Sequence, residues 1–337
     1  MNILVTGGCG FIGSNLVRYI LDNTNHTVFN IDKLTYAGDE RYHKDYIYDP
    51  RYFFEKVDIK DMEKVEKVFD KFKPAAVIHL AAESHVDRSI DSSNEFIGTN
   101  IVGTQVLLDV SKTYCERKGK KKDFRFQYVS TDEVYGSLGF NDLPFNETTQ
   151  YQPNSPYSAS KAAGDHLVRA LFRTHGIKTL TTHCSNNYGP QQLPEKLIPN
   201  TILRAFDGRK IPIYGNGENI RDWIHVDDHC RAILTVLEKG IPGEVYDVGG
   251  DNEWNNLKLV KKICDIVDKL LVDKKKTNAP RQNLIEFVTD RKGHDLRYSI
   301  DSSKIQKELG WKPIVDFEKG LEETIVWYLA HRDWWLG

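Results

Sequence analysis

The sequence predicts an α/β chain built on a doubly wound parallel sheet, and three observations lead to it. Short, almost wholly apolar runs recur along the first half, as strands do when helices cover both faces of a parallel sheet. Stretches of helical period separate those runs. The first run opens into a glycine loop rather than a hairpin turn.

That first strand is Asn2-Ile3-Leu4-Val5-Thr6, leading into Gly7, Gly10 and Gly13, with a helix expected over 14–21. Glycines at this spacing allow a tight turn, let the backbone approach a pyrophosphate, and pack helix against strand. The next run, Thr27-Val28-Phe29-Asn30-Ile31, ends in Asp32. A carboxylate about twenty residues past the loop can bond both hydroxyls of an adenosine ribose and repels a 2′-phosphate. The pattern is therefore Rossmann-like and favours NAD over NADP, with Lys33 a mild counterweight. The stretch 52–57 ends at Asp58, where a carboxylate can accept from an adenine amino group.

A further strand, Ala75-Ala76-Val77-Ile78-His79-Leu80, precedes a helix expected within 95–114, then a strand over 124–130. Ligands of such sheets sit beyond the carboxyl ends of the strands, where Ala81, Ala82, Glu83 and Ser84, and again Thr131, Asp132 and Glu133, are found. After about residue 186 the strands shorten, Gly/Pro turns multiply, and amphipathic helices appear near 257–271 and 317–330. The expected division is 1–185 for the dinucleotide-binding domain and 186–337 mainly for a smaller, interleaved α/β substrate-binding lobe, with some segments returning to the sheet.

At 337 residues the chain is long enough for a large core. Its 46 basic and 48 acidic residues leave a formal net charge of -2, which suggests neither a nucleic-acid surface nor an anionic membrane. The basic run over 117–122 reads as a solvated loop. Cys9, Cys115, Cys184, Cys230 and Cys264 are odd in number, scattered and without a C-x-x-C pair, so reduced thiols in a cytoplasmic setting are expected. His79 reads as a packed strand histidine. His166, His175 and His183 lack the carboxylate and cysteine company of a metal site, and no metal is predicted. The first strand is expected to begin at residue 2, so no signal peptide is expected, and no apolar stretch is long enough to span a bilayer.

The chemistry sits in two clusters. Tyr157 and Lys161 are four residues apart in a helix opening just after Pro156, so they share a face. An ammonium beside a phenol favours the phenolate, which can take the proton of a sugar or alcohol hydroxyl. Such a spacing taken alone is commonly incidental; the dinucleotide loop upstream gives it a purpose. A plain dehydrogenase needs only this pair. Thr131, Asp132 and Glu133 add a hydroxyl and two carboxyl groups, the equipment for an elimination assisted by redox chemistry. Adjacent carboxylates point to opposite faces of a strand, so the chain is expected to leave strand geometry at Thr131 to aim both at one sugar.

These motifs carry a resemblance. The glycine loop, Leu80-Ala81-Ala82-Glu83-Ser84-His85-Val86-Asp87-Arg88-Ser89-Ile90, Ser130-Thr131-Asp132-Glu133-Val134-Tyr135-Gly136 and Ser155-Pro156-Tyr157-Ser158-Ala159-Ser160-Lys161 are part of it. Further on, Arg221-Asp222-Trp223-Ile224-His225-Val226-Asp227-Asp228-His229 and Asp290-Arg291-Lys292-Gly293-His294-Asp295 extend it. The chain resembles the extended short-chain dehydrogenase/reductase superfamily and, within it, the dTDP-glucose 4,6-dehydratase family. The Thr-Asp-Glu trio is the part specific to that branch. Lys292 departs from the family pattern, which has proline there, and Trp254 and Asn255 precede Asn256 in a variable turn.

The resemblance implies NAD contacts at Phe11, Ile12, Asp32, Lys33, Leu34, Thr35, Asp58, Ile59, Leu80, Ala81, Ala82, Glu83, Ser84, Thr99, Tyr157, Lys161 and Asn187. It implies nucleotide-sugar contacts at Ser84, Thr131, Asn186, Lys196, Leu197, Pro212, Ile213, Tyr214, Arg221, Asn256, Asp290, Arg291, Lys292, Gly293 and His294. Lys196, Arg221 and Arg291 would supply positive charge for a pyrophosphate. The implied reaction oxidises C4 of dTDP-glucose, removes water across C5 and C6, and returns the hydride to C6, in deoxysugar biosynthesis of the dTDP-rhamnose type. Tyr157 and Thr131 would serve the oxidation, Glu133 as base and Asp132 as acid the elimination. A homodimer packed through the helices following Asn94 and Ser155 is also implied. Other readings stay open: a UDP-glucose 4,6-dehydratase; a nucleotide-sugar 4-epimerase or C4-oxidising decarboxylase, which need neither Asp132 nor Glu133; and an NAD-sensing scaffold on the same fold.

Overall fold

The computed structural model describes residues 1–119, 123–272, 280–332 and 335, so Lys120, Lys121 and Lys122 of the basic run lie outside the described residues. In chain order the strands are β1 Asn2–Thr6, β2 Thr27–Asp32, β3 Tyr52–Lys56, β4 Ala76–His79, β5 Arg125–Thr131 and β6 Lys178–Cys184. They continue as β7 Asn186–Tyr188, β8 Ile211–Tyr214, β9 Ile220–His225, β10 Val245–Val248, β11 Glu253–Asn255 and β12 Ile285–Val288.

Seven of them form one parallel sheet in the order β3-β2-β1-β4-β5-β6-β10. Both faces of β1 are covered. Leu4 joins Phe29, Val77 and Phe126 in one apolar cluster, while Ile3 and Val5 join Leu16, Val28 and Ile78 in another. This double burial is why the strand reads apolar without alternation. The helices Phe11–Asn23 and Val226–Lys239 pack on the Ile3 face, through Leu16, Ile20, Cys230 and Ile233. The helices Met62–Phe72, Thr104–Lys118 and Pro156–His175 supply Phe69, Leu107 and Val168 to the Leu4 face.

The helix expected within 95–114 is not uniform. A short α-turn, Asn94–Phe96, gives way to a π-helix, Ile97–Gly103, before the α-helix Thr104–Lys118. The wide turn seats Asn100 where its side chain accepts from the Glu83 N–H at 2.9 Å and donates to the Glu83 carbonyl at 3.0 Å and the Ser160 hydroxyl at 2.8 Å. These bonds tie the loop after β4 to the helix Pro156–His175; π-bulges of this kind cluster at functional sites.

The remaining strands build a three-stranded sheet, β11-β9-β7, and a parallel pair, β12-β8. Around them the helices Leu197–Asp207, Asn256–Val272 and Phe317–Ala330 enclose a core that includes Ile198, Ile202, Leu259, Ile263, Leu321 and Ile325. Trp254 and Asn255 lie in a strand rather than a turn: β11 runs antiparallel to β9, with Trp254 opposite Arg221. Stacking of Trp254 on Phe317, with ring centroids 5.3 Å apart, gives the extended segment its apolar support. Although β10 falls between segments of this lobe in sequence, it pairs with β6 at the edge of the main sheet, Val245 opposite Thr181.

Candidate active site

A cavity of about 560 Å³ opens beyond the carboxyl ends of the central strands, between the seven-stranded sheet and the smaller lobe. Its dinucleotide end starts at the glycine loop. Gly7 has φ +72°, and a Cβ there would come within 2.6 Å of the Ala81 nitrogen; one on Gly13 would come within 2.1 Å of the Gly7 carbonyl oxygen. Only glycine fits at these two positions of the loop, which opens directly into the helix Phe11–Asn23. No side chain caps that helix, so its first backbone N–H groups remain for a ligand anion. At the end of β2 the buried Asp32 carboxylate accepts from the Cys9 N–H at 3.0 Å and the Leu34 N–H at 2.8 Å. Burial raises its pKa, opposed by those two hydrogen bonds. The uncapped helix and the fixed acid fit NAD, which when bound supplies the hydride acceptor.

Lys33, Thr35, Ile59, Leu80, Ala81, Ala82, Glu83, Ser84, Thr99 and Asn187 line the same cavity. Leu34 and Asp58 do not. The Leu34 backbone is spent on Asp32, and the Asp58 carboxylate accepts from the Lys60 N–H at 2.9 Å.

The chemical end lies where β5 stops. Thr131 is the last strand residue, and its hydroxyl accepts from the Glu133 N–H at 3.4 Å, capping a single 3₁₀ turn, Asp132–Tyr135. The chain thus leaves strand geometry at Thr131, and both carboxyl groups face the cavity. Asp132 is buried, and its Oδ2 has no hydrogen-bond partner among the described residues. Burial, then the charges of Glu133 and Asp222, push its pKa well above the ordinary carboxylate value. Glu133 is half-buried; burial raises it as well, but Arg221 and Lys196 pull it back. Two adjacent acids therefore differ in proton affinity, the condition for dividing acid and base work between them.

Tyr157 and Lys161 line the cavity from the helix Pro156–His175, whose first turn is held by a capping box between Ser155 and Ser158. The Lys161 ammonium donates to the Val129 carbonyl at 2.8 Å and sits 4.1 Å from the Tyr128 ring centroid. Burial, then Glu133 and Cys184, hold the Tyr157 phenol well above its usual pKa, against a hydrogen bond from Thr131. Lys161 is itself pushed down to about 8 by burial, with Asp165 opposing.

On the opposite wall Arg221 is buried, its guanidinium donating to the carbonyls of Ile220 at 2.7 Å and Asp295 at 2.9 Å and lying 4.2 Å from the Tyr298 ring centroid. Asn186 and Asn256 each present a buried side-chain oxygen with no hydrogen-bond partner among the described residues. Lys196, Leu197, Pro212, Ile213, Tyr214, Arg291, Gly293 and His294 complete this end. Asp290 and Lys292 do not reach it: Gly293, at φ +63°, turns the chain, Asp290 pairs with His294 at 2.7 Å, and Lys292 is exposed. Sequence reasoning missed Asp87, which holds Arg291, and Glu195, which lies 3.5 Å from His85. Asp87 falls in a quoted stretch and Glu195 directly precedes Lys196, but no local pattern marks either. It also set His183 aside as lacking carboxylate company, whereas Asp165 and Asp247 flank its ring at 3.1 and 3.0 Å. Those partners are 18 and 64 residues away in sequence, which hid them. No metal-binding group of three or more such side chains occurs among the described residues.

The family described as GDP-mannose 4,6 dehydratase matches residues 4–324. The dTDP-glucose 4,6-dehydratase of Neisseria meningitidis serogroup B is 53% identical over 335 residues, covering 99% of this chain and 94% of that protein. Among solved structures, DesIV of Streptomyces venezuelae, a dTDP-glucose 4,6-dehydratase with NAD bound, is similar at a TM-score of 0.90 and 43% identity, covering 99% of both chains. A UDP-glucose 4-epimerase of Thermotoga maritima is similar at 0.84 and 31%, covering 98% of this chain and 99% of that one. The chain belongs to the GDP-mannose 4,6 dehydratase family and, within it, to the dTDP-glucose 4,6-dehydratases of the extended short-chain dehydrogenase/reductase superfamily.

Proposed function

We propose that the protein converts dTDP-glucose to dTDP-4-keto-6-deoxyglucose and water, with NAD as cofactor, as a step of deoxysugar biosynthesis. The observation that carries this reading is the turn after Thr131, which aims two carboxyl groups of unequal proton affinity into the cavity that holds Tyr157. The names of the relatives support the substrate.

NAD, held at the glycine loop and Asp32, would supply the acceptor for the C4 hydride and the donor for its return to C6. Tyr157, whose phenolate is favoured by Thr131 against the effect of burial, takes the proton of the 4-hydroxyl as that hydride leaves. The resulting C4 ketone acidifies C5, and Glu133 removes the C5 proton. Asp132, protonated because it is buried beside another acid, donates to the departing C6 oxygen, which leaves as water. A proton then returns to C5 as C6 is reduced, so the sugar loses only water overall. Arg221, Lys196 and Arg291 hold the diphosphate, and the free oxygens of Asn186 and Asn256 are placed for donors on the nucleotide or sugar.

Two further assignments belong to the same proposal. The exposed Ile97 and Val102, on the helical segment after Asn94, support a homodimer packed there. Five free, buried cysteines support a reducing, cytoplasmic setting. The test is to incubate the enzyme separately with dTDP-glucose and UDP-glucose and follow each by mass spectrometry. Loss of one water from dTDP-glucose is expected. Water lost only from UDP-glucose would change the base preference, and unchanged mass with conversion to the galactose form would make the protein an epimerase.

A further inference from the structure

His183, in β6, is fully buried, yet it has charged or polar partners on both sides of its ring. Its Nε2 lies 3.1 Å from Asp165 Oδ2 and 3.0 Å from the Tyr151 hydroxyl. Its Nδ1 lies 3.0 Å from Asp247 Oδ1 and 2.8 Å from the Tyr135 hydroxyl. With a carboxylate at each ring nitrogen, both nitrogens act as donors and the ring is an imidazolium. Although burial works to lower its pKa, Asp165 and Asp247 outweigh it and hold the ring at about 10. Tyr135 donates on to Asp247 at 2.9 Å, and Ser130 donates to Asp165 at 3.1 Å.

The position of these partners matters more than their number. Tyr135 closes the 3₁₀ turn that carries Asp132 and Glu133. Asp165 is one helical turn beyond Lys161 on the helix that carries Tyr157, and its charge favours the protonated Lys161. Asp247 comes from β10, which the interleaved chain returns to the sheet beside β6. Along this line the charges alternate, Lys161, Asp165, His183, Asp247, and none of the four is exposed. A buried ionic network is a costly way to fill space, because apolar side chains of equal volume hold a core as well or better. What it adds is direction, since each hydrogen bond fixes the angle and distance of the element it grips.

We propose that His183 is a positioning residue for the elimination: by gripping Tyr135 on one side and Asp165 on the other, it sets the spacing between the acid/base turn and the Tyr157 helix. One sugar pose must serve both chemistries, because the C5 proton has to lie within reach of Glu133 in the same complex in which C4 was oxidised. The inference rests on the dehydratase reading.

The test compares wild type, Tyr135→Phe and His183→Asn, each as the NAD-loaded enzyme acting on dTDP-glucose. Tyr135→Phe removes only the hydroxyl that ties the turn and keeps the ring; it carries the test should His183→Asn fail to fold. Displacing reacting groups by about an ångström costs on the order of 100-fold, so kcat should fall by roughly 10- to 100-fold with KM unchanged. The released sugars should include one oxidised at C4 but still bearing its C6 oxygen, two hydrogens lighter than the substrate, its hydride left on the cofactor. A purely structural role would not generate that species. Unaltered kcat, or a loss of kcat that follows Tm without the oxidised sugar, overturns the assignment. Wild type that removes no water from dTDP-glucose overturns the dehydratase reading itself, a result read before any variant is compared.

Discussion

Asp87 and Arg291 join the two lobes across the mouth of the cavity. Asp87 stands in the short helix Val86–Asp91 after β4, and its carboxylate receives Nε of Arg291 at 2.5 Å and Nη2 at 3.1 Å. The Tyr214 hydroxyl donates to the same carboxylate at 3.3 Å, and the Arg291 guanidinium lies 5.3 Å from the Tyr214 ring centroid. Burial works to raise the pKa of Asp87, but the hydrogen bond and charge of Arg291 outweigh it and leave the carboxylate below its ordinary range. This fork fixes one edge of the guanidinium and leaves the other for a phosphate. Asp87→Asn should therefore raise KM for dTDP-glucose with little change in kcat. Because a quarter to a third of each side chain is exposed, the expected loss is about 1 kcal/mol, roughly fivefold, checked by steady-state kinetics.

Asp132→Asn should lower kcat by roughly 10²- to 10⁴-fold, because the amide hydrogen-bonds but cannot give up a proton. The sugar should stall after oxidation, detectable by mass spectrometry of the quenched reaction. Stability should be retained, since burial already favours the neutral carboxyl group that the amide replaces. Loss of activity without any oxidised sugar would place Asp132 in the first step instead.

The pH profile of kcat/KM reports groups of the free enzyme. Lys161, pushed down to about 8, keeps its ammonium below that pH and loses it above. Activity should therefore decline as pH rises through about 8. In Lys161→Arg, whose residual rate will be lower, that limb should vanish, because a guanidinium does not deprotonate in this range. A profile flat to pH 10 in the wild type would mean that activity does not require the Lys161 ammonium.

Acid stability should depend on His229. Its ring is fully buried and shares a hydrogen bond with Asn187 Oδ1 at 2.8 Å, and burial lowers its pKa to about 3. A folded pKa below the unfolded 6.5 gives stability that is complete above pH 6.5 and is lost as pH falls toward 3, because only the unfolded chain takes the proton. The slope is at most about 1.4 kcal/mol per pH unit. Urea unfolding between pH 6.5 and 4 should show wild type losing stability more steeply than His229→Gln by up to that amount. His43 and His79, also lowered by burial, act in the same sense but are present in both proteins.

Much of the sheet was legible because its information is local. The strand around Val77, the loop from Gly7 to Gly13 and the acid at Asp32 each declare themselves within a dozen residues, and the turn after Thr131 follows from the alternation of a strand. The π-helix Ile97–Gly103 was not legible, because its cause is a distant partner: Asn100 bonds Glu83 and Ser160 rather than anything in its own helix. Trp254 and Asn255 misled for the same reason, their strand being defined by Arg221 and Phe317. At the site, residue types were readable where the reaction demands them, as at Asp132, Glu133 and Tyr157. Side-chain direction was not, so Asp290 and Lys292 stood level with Arg291 until Gly293 turned the backbone. Long-range pairs such as Asp87 with Arg291 and His183 with Asp247 leave no trace in spacing.

The return of β10 to the edge of the main sheet also bears on how such a chain can be recombined. A single crossover near residue 185 between two homologous genes would join the first six strands of the sheet from one parent to the seventh from the other. It would also split the helix pair Phe11–Asn23 and Val226–Lys239 between parents, together with the contacts of Asp247 to His183 and Tyr135. Exchange of the sugar-binding surface alone requires paired crossovers that leave 226–248 in place, so substrate range in this architecture is more readily altered by point changes in the cavity wall than by shuffling halves.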